Sequence, residues 1–303
     1  MRTPFLLALL LGFSLVFPTA HASAAPTIQF VVPTFDYPGD NYHTTIARGV
    51  ANNGTVVGTV DDATPGNRLG FERFPDGSFS LPLAFPGWAG TSPRAVNNSN
   101  LICGSVTGPF GTLPHGFFYD GETFTQYDLP GTTTTSLTGL NDAGDFCGYS
   151  TTNGTAGTTA FVNIGGATVI FTLPGVTDVY PQGVNNLGQV AGYYLDPNNR
   201  LHYHGFFRDT DGTLTFPPDL AHSASSQIFG LNDNALLVGV GLSRDNISHG
   251  FVLKLPRRYV SFDDPDSEFG PNATGINNSG LISGWYFLES DLDIHSFIAQ
   301  LVR

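Results

Sequence analysis

Gly183-Val184-Asn185-Asn186-Leu187-Gly188 is followed by the apolar pair Val190-Ala191 and a further glycine, Gly192. The same phrase is written six times, starting at Gly49, Ala95, Gly139, Gly183, Gly230 and Gly275, with successive starts 46, 44, 44, 47 and 45 residues apart. Each copy reads as the end of one strand, a turn on Asn, Asp or Gly, and a second strand such as Ile102-Cys103-Gly104 or Phe146-Cys147-Gly148. A third strand opens on Gly70-Phe71, His115-Gly116-Phe117, Ala160-Phe161, His204-Gly205-Phe206, His249-Gly250-Phe251 and His295-Ser296-Phe297. A fourth is clearest at Phe124 to Gly131, with counterparts ending at Pro86-Gly87, Pro174-Gly175, Pro217 and Pro265. Four strands in about 45 residues is the size of one propeller blade.

The two ends of the chain decide the architecture. The sixth unit stops after its third strand, while an extra fourth strand, Phe30 to Gly39, precedes the first unit. The expected fold is therefore all-β: one six-bladed β-propeller over residues 26–303, four antiparallel strands per blade, closed by the N-terminal strand completing the last blade, so that no sheet edge is left open. An open stack of repeats would not account for the displaced strand.

Composition agrees and narrows the function classes. The 303 residues hold 37 Gly and 21 Pro, a profile of turn formers, and 12 Lys plus Arg against 25 Asp plus Glu for a net charge of −13. Lys254 is the only lysine and the arginines are scattered, which excludes a nucleic-acid partner. Arg2, the apolar run Phe5 to Phe17, Pro18 and the small residues of Ala20-His21-Ala22 and Ala22-Ser23-Ala24 form a secretory signal peptide pattern over residues 1–25. The run is too short for a membrane span, which needs about 20 apolar residues. A secreted protein, periplasmic or extracellular and monomeric, is expected after cleavage.

These phrases resemble a family of bacterial extracellular repeat proteins named for their HAF motif, whose units carry G-I-N-N-x-G-x-I-V-G and H-[AG]-F. The resemblance covers essentially the whole mature chain. It implies export and a repeat fold, with no activity, cofactor or site residue to carry over. The chain departs from the pattern at Ala51, Leu69 and Thr159.

Most of the repeated polar residues read as structural. The pairs Asn97-Asn98, Asn141-Asp142, Asn185-Asn186, Asn232-Asp233 and Asn277-Asn278 could line a channel, but Asn and Asp in tight turns also bond their own backbone, and that role is preferred. His115, His204, His249 and His295 cannot converge on one ion from third strands, which lie far from the ring axis. Each is expected to bond the backbone of a neighbouring strand or loop. Cys103 and Cys147 occupy the same position in adjacent units, beyond disulfide reach by the same ring geometry, and should be buried free thiols. Asp209-Thr210-Asp211-Gly212 reads as a hairpin turn and Asp263-Asp264-Pro265-Asp266 as a solvated loop, rather than as calcium ligands. No metal and no cofactor is implied.

Function is then expected on the loops between units. They hold Tyr42, His43, Trp88, Thr132 to Thr135, Tyr180, His222, Asp266, Glu268 and Phe269. Tyr42, His43, Trp88, Tyr180, His222, Asp266 and Phe269 are the candidate ligand-binding set, because rings beside polar groups suit a carbohydrate or a peptide; a loop Trp can equally pack on its own blade. A second patch comprises Tyr193, Tyr194, Arg200, His202 and Tyr203. No nucleophile elbow, metalloprotease box or sialidase box is present. The preferred reading is a non-catalytic binding or scaffold module for an extracellular glycan or a protein partner. The alternative is a polysaccharide hydrolase or lyase using loop acids such as Asp40, Asp178 and Glu268.

Overall fold

A computed structural model describes residues 25–40, 44–62, 67–108, 113–264, 267 and 269–302. The signal-peptide reading falls almost wholly outside them, as do Tyr42, His43, Asp266 and Glu268. Among the described residues there are strands and turns and no helix. β1 (Thr27–Phe35) precedes the first unit, which holds β2 (Ile46–Val50), β3 (Val56–Asp61) and β4 (Arg68–Arg73). The second unit holds β5 (Gly90–Val96), β6 (Ile102–Thr107), β7 (His115–Tyr119) and β8 (Phe124–Tyr127), and the third β9 (Thr134–Leu140), β10 (Phe146–Thr151), β11 (Thr159–Ile164) and β12 (Ala167–Phe171). The fourth holds β13 (Val179–Val184), β14 (Val190–Leu195), β15 (Tyr203–Arg208) and β16 (Leu214–Thr215). The fifth holds β17 (Ser223–Leu231), β18 (Leu236–Ser243), β19 (Ser248–Lys254) and β20 (Arg258–Phe262). β21 (Asn272–Ile276), β22 (Leu281–Leu288) and β23 (Asp293–Val302) form the sixth.

Units three, four and five are each a four-stranded antiparallel sheet in chain order. The sixth sheet has the order β1-β23-β22-β21, so the N-terminal strand lies outermost against the C-terminal one, from Thr27 opposite Val302 to Phe35 opposite Ser296. The first unit differs from expectation. Its fourth strand is reduced to the isolated bridges Gly70 to Leu83 and Arg73 to Phe79, because Pro82 and Pro86 withhold the N–H groups a ladder needs. One parallel pair, Arg68 with Gly90, joins it to the second unit.

One cross-strand pair explains why the two sequence phrases recur together. The second-strand glycines Gly58, Gly104, Gly148, Gly192, Gly239 and Gly284 face the third-strand Phe71, Phe117, Phe161, Phe206, Phe251 and Phe297. All six rings are fully buried. A Cβ on Gly148 would lie 2.2 Å from the Ser136 carbonyl oxygen and 3.0 Å from Phe161 Cζ, so only hydrogen fits there. Each buried Phe contributes roughly 1.5–3 kcal/mol by leaving water.

The core lies between neighbouring sheets rather than within one. Cys147, Ala160 and Val162 of unit three pack with Val179, Val184 and Phe206 of unit four. Ala47, Val56 and Phe71 of unit one pack with Phe35 of β1 and Ile298 of β23, bringing the start and end of the chain into one apolar cluster.

Candidate functional site

The innermost strand of every unit carries one bulge at the same place, between Ala47 and Gly49, Pro93 and Ala95, Leu137 and Gly139, Pro181 and Gly183, Ile228 and Gly230, and Ala273 and Gly275. A bulge re-aims the extra residue. The six extra residues are Arg48, Arg94, Thr138, Gln182, Phe229 and Thr274. All but Arg48 line a central channel that runs from this level to the Asn/Asp turns. Its free volume is about 100 Å³, room for several waters or one small polar group.

At the turn end the channel wall is tied by two sets of inter-unit hydrogen bonds, the first broken at Ala51 and the second joining all six units. Asn97, Asn141, Asn185, Asn232 and Asn277 are each buried, and Asn141 Oδ1 accepts from the N–H of Ala143 and Asp145 in its own turn. That self-bonding is the expected role. The other half of the amide does something else: Nδ2 donates to the main-chain carbonyl of the next unit, from Asn97 to Asn141, Asn141 to Asn185, Asn185 to Asn232, Asn232 to Asn277, and Asn277 to Ala51, at 2.9–3.1 Å. The second set uses the following residue. Asn98, Asp142, Asn186, Asp233, Asn278 and Asn52 each accept from a main-chain N–H of the preceding unit at 2.7–3.1 Å. The Asp142 and Asp233 carboxylates also take the side-chain amides of Asn98, Asn186 and Asn278.

At the bulge level the wall changes character. Among the described residues neither Arg48 nor Arg94 has an ion pair or a side-chain hydrogen bond, and Arg48 Nε is buried without a partner. Burial, then the like charges of Arg94 and Arg68, hold the Arg48 pKa well below its usual value. Arginine does not give up its proton in proteins, so this depression measures an electrostatic cost.

Tyr193 belongs to an aromatic wall beside those arginines. Tyr180 stacks on Tyr193 with centroids 5.1 Å apart, Tyr149 meets Tyr180 edge-on at 5.0 Å, and Tyr203 and the channel-lining Phe229 meet Tyr193 at 5.4 and 5.6 Å. All five rings are half-buried. None of the four phenol hydroxyls donates to another described residue. Burial, followed by the nearby Asp178 and Tyr149, pushes the Tyr180 pKa up to about 12, and burial likewise raises that of Tyr193. Tyr180 and Tyr193 are therefore protonated donors at neutral pH.

The candidate loop set does not assemble into one site. Trp88 packs between the first two units, 6.4 Å from Phe85 and 5.1 Å from His115. His222 is exposed and takes the left-handed turn position, φ +68°, that Gly39, Gly87, Gly131 and Gly175 take after their strands. The fourth-strand phrase of that unit thus runs Asp219 to His222 and does not end at Pro217. Phe269 is 44% exposed and meets Phe287. Only Tyr180 joins the aromatic wall beside the channel. The second patch splits: Tyr193 and Tyr203 join Tyr180, Tyr194 turns to His204 and Phe216, and Arg200 pairs with Asp178 at 3.1 Å. Arg48, Arg94, Tyr149 and Phe229 were missed; the one signal for Arg48, Arg94 and Phe229 is that the residue before each repeated phrase varies (Arg, Arg, Thr, Gln, Phe, Thr) while the phrase after it is kept.

The repeated histidines need one correction. Their partners are carboxylates, not backbone: His115 with Asp128, His204 with Asp219, His249 with Asp263 and His295 with Asp36, at 2.6–2.9 Å. The acid-rich loop is corrected likewise, since Asp263 holds His249 and Asp264 is buried. Asp291, Asp293 and His295 bring ligand atoms within 4.8 Å of one another. Both ring nitrogens of His295 already face carboxylates, Asp36 and Asp291, so this group is a clasp between β1 and β23. Cys103 and Cys147 are buried free thiols, as expected. Asp209 to Gly212 is the expected hairpin turn.

No family model matches the chain, and no curated protein does either. Solved structures do match. Putative TolB from Agrobacterium tumefaciens aligns with a TM-score of 0.58 at 12% identity, covering 93% of this chain and all of the other. A mutant of the Aleuria aurantia lectin in complex with Fucalpha1-6GlcNAc gives 0.53 at 10% identity, covering 90% and 96%. The SapL1 lectin in complex with alpha methyl fucoside gives 0.54 at 11%, covering 86% and 96%. The fold is β-propeller-like. At these identities the likeness is one of fold.

Proposed function

We propose that this chain is an exported, non-catalytic repeat propeller that binds extracellular carbohydrate at the tyrosine-lined mouth of its central channel. The observation that carries the reading is the wall of Tyr149, Tyr180, Tyr193 and Tyr203, whose rings lie at 5.0–5.4 Å and whose hydroxyls have no hydrogen-bond partner among the described residues. Aromatic faces beside free donors suit a pyranose, which offers apolar C–H faces and hydroxyl edges. Six Gly–Phe pairs, the two sets of inter-unit Asn bonds and the pairing of β1 with β23 support six blades closed by the N-terminal strand. The six repeated phrases support membership of the HAF-type repeat family, and the first 25 residues support export. Two structural neighbours are lectins caught with fucosides, a likeness of fold that agrees with glycan binding.

The enzymatic alternative has weaker support. Asp178 takes hydrogen bonds from Thr177 and Arg200, and Asp40 from Thr44 and Thr45, so both carboxylates serve as structural acceptors. A screen of the mature protein against extracellular glycans, with product analysis on every hit, tests the proposal. Binding without cleavage, weakened at least tenfold by Tyr180→Ala and unchanged by Trp88→Ala, is the expected result. Cleavage products, or binding indifferent to Tyr180→Ala, would overturn it.

A further inference from the structure

Arg48 and Arg94 precede the repeated phrase in units one and two, where units three to six carry Thr138, Gln182, Phe229 and Thr274. The bulge at this position re-aims each residue, and the backbone at Gly49 lies against that of Arg94 and Ala95, so the two arginines stand side by side on adjacent inner strands with Arg94 in the channel wall. A chain with a net charge of −13 has acids to pair with them, yet among the described residues none does. Arg68, the nearest cation beyond this pair, is held by Asp61 at 2.9 Å. The channel carboxylates Asp142 and Asp233 lie four residues further along the inner strands, about 13 Å away by strand rise, and are occupied by Asn amides.

A guanidinium with Nε buried and unpartnered, as in Arg48, is costly beside a second cation, and an anion reaching the two lowers that cost. A guanidinium binds a planar carboxylate through two parallel N–H donors, so the cavity suits an oxyanion better than a neutral hydroxyl. The tyrosine wall begins at the same level, where Phe229 meets Tyr193. A ligand that fills both places has a sugar ring on the tyrosines and a carboxylate between the arginines.

We infer that the channel mouth selects acidic saccharides, with Arg48 and Arg94 holding the carboxylate of a uronic acid unit whose ring lies against Tyr180 and Tyr193. The inference rests on the carbohydrate-binding reading and specifies its ligand class. Gln182 adds a neutral hydrogen-bonding group to the channel wall, whereas the Thr138 hydroxyl is spent on the Pro181 carbonyl.

The test is calorimetric titration of the mature protein with tetragalacturonate and with its methyl ester, which keeps the sugar and removes the charge. The acid should bind at least tenfold tighter than the ester, with affinity falling as salt rises. Arg94→Gln should abolish that preference while leaving the ester's affinity within about twofold. Arg94→Lys, which keeps the charge and loses the fork, should retain only part of it and serves if the glutamine variant does not fold. Equal binding of acid and ester, both lost in Tyr180→Ala, would overturn the acidic assignment and leave the carbohydrate reading standing. A preference for the acid that survives Arg94→Gln would overturn the role of the arginines. Binding of neither tetramer would overturn the acidic assignment, even if inorganic sulfate bound, while the glycan screen decides the carbohydrate reading separately.

Discussion

His295 and Asp36 are 259 residues apart in the chain and meet at 2.9 Å, Nδ1 to Oδ1, with Asp291 on the other ring nitrogen at 3.2 Å. The contact ties the N-terminal strand to the C-terminal one. Burial, the largest influence on His295, pulls its pKa down, but hydrogen bonds and charge from Asp36 and then Asp291 more than offset it, so the value is raised. A raised histidine pKa makes the clasp's contribution whole below the unfolded value near 6.5 and removes it as pH climbs through the folded value. On the acid side the window closes as Asp36, whose own pKa burial raises, takes up a proton. Asp36→Asn should therefore lower the urea midpoint at pH 6 and change it little at pH 9. The expected loss is about 1 kcal/mol, because the Asp36 side chain is 44% exposed and water screens the pair. A loss that does not vary with pH would refute the charged clasp.

The inter-unit strap of asparagines has one gap, at Ala51. Asn141→Ala removes the acceptor of two part-buried main-chain N–H groups and the buried donor to the Asn185 carbonyl, and should cost about 3 kcal/mol. The converse change, Ala51→Asn, supplies the missing donor towards Asn97 and should add about 0.5–1 kcal/mol. Urea unfolding at constant slope measures both. If Ala51→Asn destabilises, unit one lacks the room that the other five turns provide.

Much of this fold was legible because it is written six times. The Gly–Phe pair recurs at a fixed spacing, so strand identity and order followed from periodicity alone. The histidine partners were legible in principle too. Units with His115, His204, His249 and His295 carry Asp128, Asp219, Asp263 and Asp36 on their fourth strand, whereas Leu69 and Thr159 face units with Ala84 and Thr172 in that register. The covariation was overlooked because Asp36 sits at the wrong end of the chain and Asp219 is displaced by an extra Pro. The site was less legible. Bulges set which inner-strand residue meets the axis, and a bulge changes orientation by one residue without leaving a composition signal. Trp88 and Phe269 were chosen for chemistry alone, and packing assigned them elsewhere.

Cys103 and Cys147 stand at equivalent positions in adjacent units, fully buried. Burial, followed by the charge of Cys147, pushes the Cys103 pKa far up, and burial pushes that of Cys147 up to about 12. A thiol so protonated is a poor nucleophile. Native protein should show no reaction with a thiol reagent over hours and two equivalents after unfolding in urea, and reductant should leave the melting temperature unchanged. Rapid labelling of either cysteine in the native state would contradict the burial.

His222 occupies a turn position that glycine fills in four other units, with φ +68° and an exposed side chain. A non-glycine residue in this left-handed region costs roughly 1–2 kcal/mol, while glycine in its place adds unfolded-state entropy worth about 0.5–1 kcal/mol. The balance favours His222→Gly by about 0.5–1 kcal/mol, seen as a higher urea midpoint. The side chain stands apart from the tyrosine wall, so saccharide affinity should stay within twofold. A tenfold loss of binding with the gain in stability would instead return His222 to the ligand site, and the strained backbone would then be maintained for recognition.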